Sequence, residues 1–268
     1  MNYASRDGVK IAYAEEGRGK PAVVLVHGWA CNHRHLDPQF AHLSKRHRTI
    51  AVDLRGHGES EKPQQDYTIE GHANDLAWLC RGLDLPAVVI IGHSMGGQVA
   101  LEFAASYPGQ TAAMVALDSL LAVQPGQRDA LVKLGEAMKS PGYKDILRDS
   151  ISQAFHPADD SKRRASLIED MLRTPQHVIA AEMRAIATHD INGATKRVKS
   201  PLLFIHAGNT TTDLAMLREL APQAVVGATV GAGHWHNLEV PEQVNAMIDR
   251  FMAIEGLGID PSRTQDRL

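Results

Sequence analysis

The stretch Val88-Val89-Ile90-Ile91-Gly92-His93-Ser94-Met95-Gly96-Gly97 joins two different patterns within ten residues. Four β-branched residues in a row read as a strand buried on both faces. The run Gln98 to Tyr107 that follows reads as a helix. Only a short turn of small residues separates the two, so Ser94 stands at a tight strand-to-helix corner with its hydroxyl above a sheet. The N-terminus of the following helix directs partial positive charge at the same point, which favours a developing oxyanion. In this context Gly92-x-Ser94-x-Gly96 reads as a seat for a serine nucleophile.

The same strand signature recurs on either side. Val23 to Val26 ends at His27-Gly28, Thr49 to Val52 ends at Asp53, and Met114 to Leu117 ends at Asp118. Between them, Leu36, Phe40 and Leu43 mark one helix face, and Ile69, Ala73, Leu76 and Cys80 another. Strand and helix in alternation predict an α/β fold, a mostly parallel sheet with helices on both faces. From Leu120 to Lys199 the strand signal stops, and four segments read as helices: 129–138, 144–155, 161–173 and 174–188. In the last of these, Thr174 reads as an N-cap with Pro175 at the first helical position. The α/β pattern returns with strands at Leu202 to Ile205 and Ala224 to Val230 and a helix at Pro241 to Ile254. The chain therefore divides into a core of residues 1–119 and 200–268 and a helical cap insert of residues 120–199. An insert above the carboxyl ends of parallel strands is well placed to cover a ligand. The tail after Gly256 is polar and reads as frayed.

Composition narrows the function. The chain has 268 residues, with Lys+Arg 28 against Asp+Glu 31 and a net charge of −3. That balance argues against nucleic acid and against a polybasic membrane patch. The longest apolar run has six residues, whereas a membrane span needs about 20. With only Cys31 and Cys80 there is no disulfide scaffold, and reduced thiols in a cytoplasm are expected. The expected partner is a small-molecule substrate; composition leaves the oligomeric state open.

Taken together, His27-Gly28-Trp29, Asp53-Leu54-Arg55-Gly56-His57-Gly58-Glu59-Ser60, Gly92 to Gly97 and Gly233-His234 resemble the α/β-hydrolase fold family over nearly the whole chain. The resemblance implies a serine hydrolase, with Ser94 attacking a carboxylic ester, thioester or lactone and no metal or organic cofactor. It makes His234 the base, with His236 as the competing choice two residues on. The backbone N–H groups of Trp29 and Met95 would form the oxyanion hole. A serine at this position argues against the branches of the fold that use aspartate as nucleophile. At the acid the chain departs from the commonest family pattern, which places an aspartate three residues after a glycine beyond the strand 202–205. Here Gly208 is followed at that spacing by Thr211, which cannot carry the charge. Two candidates follow. Asp118 ends the strand after the nucleophile helix, and Asp213 begins a helical pattern; Asp118 is preferred because a strand end holds a carboxylate rigidly.

Two other readings compete at the level of function. Gly28-Trp29, His33-Arg34 and the acid at Asp118 are similar to cofactor-free ring-cleaving dioxygenases of the same fold. The chain departs from them with Met95 after the serine and no tryptophan in the insert. A non-catalytic ligand receptor that keeps the triad is the third. Among the remaining polar clusters, Asp53, Arg55 and His57 read as residues that order a loop. His33-Arg34-His35-Leu36-Asp37 has the form H-x-H-x-D of a metal motif, but Pro38 stands where another histidine is wanted. His234-Trp235-His236 lacks further ligands. Cys31 reads as a small buried hydrophobe.

Overall fold

Alternate residues of the strand that carries Ser94 face opposite layers, which is why the run is apolar throughout. Val88 and Ile90 pack into one hydrophobic cluster, and Val89 and Ile91 into another. In the computed structural model, which describes residues 1–258, this strand sits inside an eight-stranded sheet. The strands are β1 (Asn2–Arg6), β2 (Val9–Glu16), β3 (Ala22–Val26), β4 (Thr49–Val52), β5 (Val88–His93), β6 (Thr111–Leu117), β7 (Leu202–His206) and β8 (Ala224–Ala228). Their order across the sheet is β1-β2-β4-β3-β5-β6-β7-β8. β1 pairs antiparallel with β2 and β2 antiparallel with β4; every pair from β4 to β8 is parallel.

Helices α1 (Asp37–Leu43), α2 (Ile69–Gly82) and α3 (Met95–Ser106) follow the first parallel strands. Five more, α4 (Arg128–Ala137), α5 (Tyr143–Ser152), α6 (Ser161–Met171), α7 (Gln176–Thr188) and α8 (Ile191–Arg197), lie between β6 and β7. The chain continues through α9 (Leu214–Leu220), α10 (His236–Glu239) and α11 (Pro241–Ile254). On one face of the sheet, α2 and α3 bury Leu76, Val99 and Phe103, and Ile191 and Ala194 of α8 join the same cluster. On the other face, Leu43 of α1 and Val244, Ile248 and Phe251 of α11 cover Val23, Leu25 and Ile91. A third cluster ties Leu147, Leu167, Ile168 and Ile179 of the helices between β6 and β7 to Ala30, Cys31 and Trp235 of the loops beneath them.

The start of α7 differs from the sequence expectation. Thr174 does not cap it; its hydroxyl donates to the Ala30 carbonyl at 3.1 Å, and the helix begins after Pro175 without a side-chain cap. A fixed contact to a core loop has displaced a local one. Asp213 does cap α9, accepting from the Met216 N–H at 2.9 Å. The expected frayed tail falls almost wholly on residues 259–268, which lie outside the described residues. Among the described residues no helix is long and apolar enough to cross a membrane.

Candidate active site

Register brings the site together. β5 and β6 pair with His93 opposite Leu117, and β6 and β7 pair with Leu117 opposite Ile205. The next residues, Ser94 and Asp118, therefore leave the sheet side by side at the carboxyl ends of neighbouring interior strands. Each is held there by the adjacent strand: the Ser94 N–H donates to the Leu117 carbonyl at 2.9 Å, and the Asp118 N–H to the Ile205 carbonyl at 2.8 Å. Both have left-handed backbone, φ 55° at Ser94 and φ 42° at Asp118. For residues with a Cβ that conformation is costly, by about 1–3 kcal/mol each, and it persists where neighbours over-determine it. Glycine is required on both sides of the corner. A Cβ on Gly92 would strike the Gly96 carbonyl, and one on Gly96 would strike the carbonyls of Val26 and His27.

His234 meets Asp118 across the site. Its Nδ1 lies 2.6 Å from Asp118 Oδ2, while Oδ1 accepts the Ala207 N–H at 3.0 Å. With the carboxylate as acceptor, the proton sits on Nδ1 and Nε2 is left to accept. The loop carrying this ring is fastened at several points. The His234 N–H donates to the Ala154 carbonyl at 2.8 Å, and the Gly233 N–H to Glu239 Oε2 at 3.0 Å. His93 Nε2–H donates to the His234 carbonyl at 2.8 Å, and its ring lies 4.8 Å from that of His234. Burial, with His234 adding to it, holds His93 well below the usual histidine pKa. A neutral ring suits a donor that faces a carbonyl. Trp235 stacks on Phe155 with ring centroids 5.7 Å apart and closes the loop from below.

Trp29 and Met95 line the same cavity as Ser94, Asp118 and His234. Met95 opens α3, where an N–H has no acceptor one turn back. Among the described residues nothing accepts from the Trp29 N–H either. The Trp29 indole reaches α7, donating from Nε1 to the Ile179 carbonyl at 3.0 Å. The Ser94 hydroxyl makes no hydrogen bond among the described residues. The cavity measures about 840 Å³ and is walled by Leu120, Leu131, Phe155, Met183 and Ile186 from the segment between β6 and β7.

The other candidates stand apart from this group. Asp213, besides capping α9, accepts from Gln124 Nε2 at 2.5 Å, and those contacts lower its carboxyl pKa. It does not touch His234. His236 is fully buried in α10, with Nδ1 3.2 Å from Thr229 Oγ1, and burial lowers its pKa to about 4. His33 and His35 turn to different carboxylates, Asp53 at 2.8 Å and Asp170 at 3.0 Å, so the H-x-H-x-D side chains do not converge. Asp53 also accepts the N–H groups of His33 and Glu59. Burial raises its carboxyl, but these contacts and His27 outweigh it and leave the pKa at about 2. Arg55 forks onto Asp75 at 2.8 and 2.9 Å. His57 and His72 both face the buried Glu182 of α7. Cys31 is buried, which pushes its thiol pKa well up.

Sequence reasoning passed over His93 as a positioning group, because its partner lies 141 residues away. Its only local trace is a bulky polar residue inside an otherwise small-residue turn.

The α/β-hydrolase fold family model matches residues 21–241. The chain belongs to the α/β-hydrolase fold family. It is 29% identical over 259 residues to the 2-(acetamidomethylene)succinate hydrolase of Mesorhizobium japonicum, covering 89% of this chain and 90% of that one. It superposes on a thermophilic esterase from Thermogutta terrifontis with a TM-score of 0.83 and 25% identity, over 94% and 97% of the two chains. An enol-lactonase from Burkholderia xenovorans shares the fold, with a TM-score of 0.84 at 23% identity over 94% and 100%. These hydrolase relatives make the chain an α/β hydrolase at the level of superfamily.

Proposed function

We propose that this hydrolase cleaves a carboxylic ester, thioester or lactone through an acyl-serine intermediate, with Ser94, His234 and Asp118 as its triad. One observation carries the reading: the 2.6 Å contact of His234 Nδ1 with Asp118 Oδ2 in a cavity that also admits Ser94. A serine hydroxyl becomes nucleophilic when an imidazole takes its proton. Asp118 fixes the tautomer that leaves His234 Nε2 free to do so and stabilises the imidazolium that results. Ser94 Oγ adds to the carbonyl carbon, and the N–H groups of Trp29 and Met95 hold the oxygen as its charge develops. His234 returns the proton to the departing alcohol, thiol or lactone oxygen. Water, deprotonated by the same ring, then releases the acid. The Ser94–His234 hydrogen bond is the contact still to be made, and such bonds often tighten only around substrate.

Residues 120–199 serve in this reading as the cap that selects the substrate. The unpaired thiols Cys31 and Cys80 fit a reducing, cytoplasmic compartment. The test is a pH-stat assay of simple carboxylic esters with an oxygen electrode in the same cell. Acid release without oxygen uptake is expected. Oxygen uptake on a hydroxyquinolone, with no acid from any ester, would replace the hydrolase reading with the dioxygenase one.

A further inference from the structure

Ser94 and His234 border a second, smaller cavity. It measures about 100 Å³, and its back wall is Ile151 of α5, Met171 of α6 and Trp235. Trp29, Ser150 and Ala154 line both this space and the larger one, so the two flank the same pair of reacting side chains. The back wall is fixed. Ile151, Met171 and Trp235 are buried in the cluster that joins the helices to the loops beneath them. The Trp235 ring is hemmed in by Phe155, His93 and His35, with centroids 5.7, 5.0 and 6.1 Å away. A β-branched isoleucine has few rotamers to retreat into.

The small cavity is also closed to polar groups. Trp29 Nε1 is taken by the Ile179 carbonyl, Ser150 Oγ donates to the Ile146 carbonyl at 2.8 Å, and Trp235 Nε1 is buried. Apart from Ser94 and His234, no side chain there has a donor left for a substrate. A polar group placed in it would give up its bonds to water for nothing. The larger cavity, by contrast, reaches the exposed residues Gln153, Asn209 and Thr211. Size sets the second limit. An apolar cavity of about 150 Å³ holds benzene. The small one falls short of that, and the part beside Ser94 and His234 is needed by the carbonyl, which leaves room for about two or three carbons.

We infer that the substrate is lopsided: one side of the scissile carbonyl carries an apolar group of at most about three carbons, seated against Ile151, Met171 and Trp235, and the other carries a larger group in the cavity of about 840 Å³. Ile151 and Met171 are thereby specificity-determining residues. The inference rests on the proposed hydrolytic reading for the bond that is cleaved, but the size limit is measurable without turnover.

Isomeric undecanones make the comparison, since no hydrolase cleaves them and only the position of the carbonyl changes. The short side is methyl in 2-undecanone, ethyl in 3-undecanone and pentyl in 6-undecanone. Titrated against the tryptophan fluorescence of the intact protein, the first two are expected to bind at least about tenfold tighter than the third, which must leave two or more methylenes out of contact. Ile151→Ala and Met171→Ala, with Ile151→Val as the milder change, are expected to shrink that margin. Leu131→Ala, on the wall of the larger cavity alone, is expected to keep it. Equal binding of the three ketones, binding of none, or a margin that survives widening at both Ile151 and Met171 would overturn the inference. Three isomeric esters extend the test to turnover: nonyl acetate, methyl decanoate and pentyl hexanoate. The last is expected to have the lowest kcat/KM, and the faster of the other two shows whether the small group belongs to the acid or to the alcohol. A ketone margin with no acid from any ester retires the hydrolytic reading and keeps the size limit; acid from all three esters without a ketone margin does the reverse.

Discussion

Asp118 and Asp213 are both carboxylates near the ends of β6 and β7, and their surroundings assign them different work. Asp118 is held by strand geometry and faces His234; Asp213 is spent on the first turn of α9. Asp118→Asn is therefore expected to lower esterase kcat steeply, by up to about 10⁴, with the fold retained. Asp213→Asn keeps a capping side chain and is expected to leave kcat unchanged; the two measured side by side decide the acid. Ser94 was legible because its signal is local: a β-branched run, three small residues and a helix must turn at that point whatever the rest does. His234 came from a glycine-bracketed loop before the last helix, and Asp118 from the absence of charge at Thr211. His93 and the Ala207 N–H were not legible, since each acts across the fold on a partner that only the sheet register brings near.

At the scale of elements, α7, in the segment between β6 and β7, is joined to the core through buried charge. Its Glu182 is fully buried, with Oε1 2.8 Å from His72 Nε2, and with His57 Nε2 3.0 Å from Oε2 but out of line for a hydrogen bond. Burial raises the Glu182 carboxyl, and the two histidines outweigh it and bring the pKa down to about 2. His189, which ends the helix, adds a 3.0 Å contact to Glu102 of α3. Removing one partner from such a buried set leaves the others uncompensated. Glu182→Gln is expected to cost about 3 kcal/mol in urea unfolding; a loss near zero would show that packing alone holds α7. On the proposed reading the same segment selects the substrate. Leu131 and Met183 line the cavity, so Leu131→Ala and Met183→Ala are expected to shift chain-length preference through KM while kcat on the shortest esters stays within a few-fold. The helices α4 to α7 were legible from their periodicity. β1 was not, because its residues are mostly exposed polar ones that pair at a sheet edge. α8 was missed because it is seven residues long and owes its place to packing on α3.

Over the whole molecule, several histidines are held neutral by the fold. His27 is pushed down to about 3, chiefly by burial, and its ring accepts the Leu54 N–H while donating to the Gly28 carbonyl. His236 lies at about 4 and His93 well below its usual value, both through burial. Unfolded, each titrates near 6.5. Below that pH the unfolded chain binds protons the folded chain refuses, so stability falls as pH drops. Three such groups give a slope of about 4 kcal/mol per pH unit once they are protonated in the unfolded state. Asp53 and Glu182, depressed to about 2, act in the same direction below the usual carboxylate range. The Tm is expected to decline steeply between pH 6 and pH 4; a flat profile there would contradict the neutral assignments.

The central claim is that Ser94 is the covalent nucleophile of a hydrolase site assembled at the carboxyl ends of the interior strands. It is tested most directly by treating the intact protein with a fluorophosphonate and mapping the adduct by peptide mass spectrometry. One adduct is predicted, on the peptide carrying Ser94, appearing in step with loss of ester turnover and absent from Ser94→Ala. A protein that stays unlabelled while hydrolysing esters, or a Ser94→Ala variant that keeps its turnover, would contradict the account.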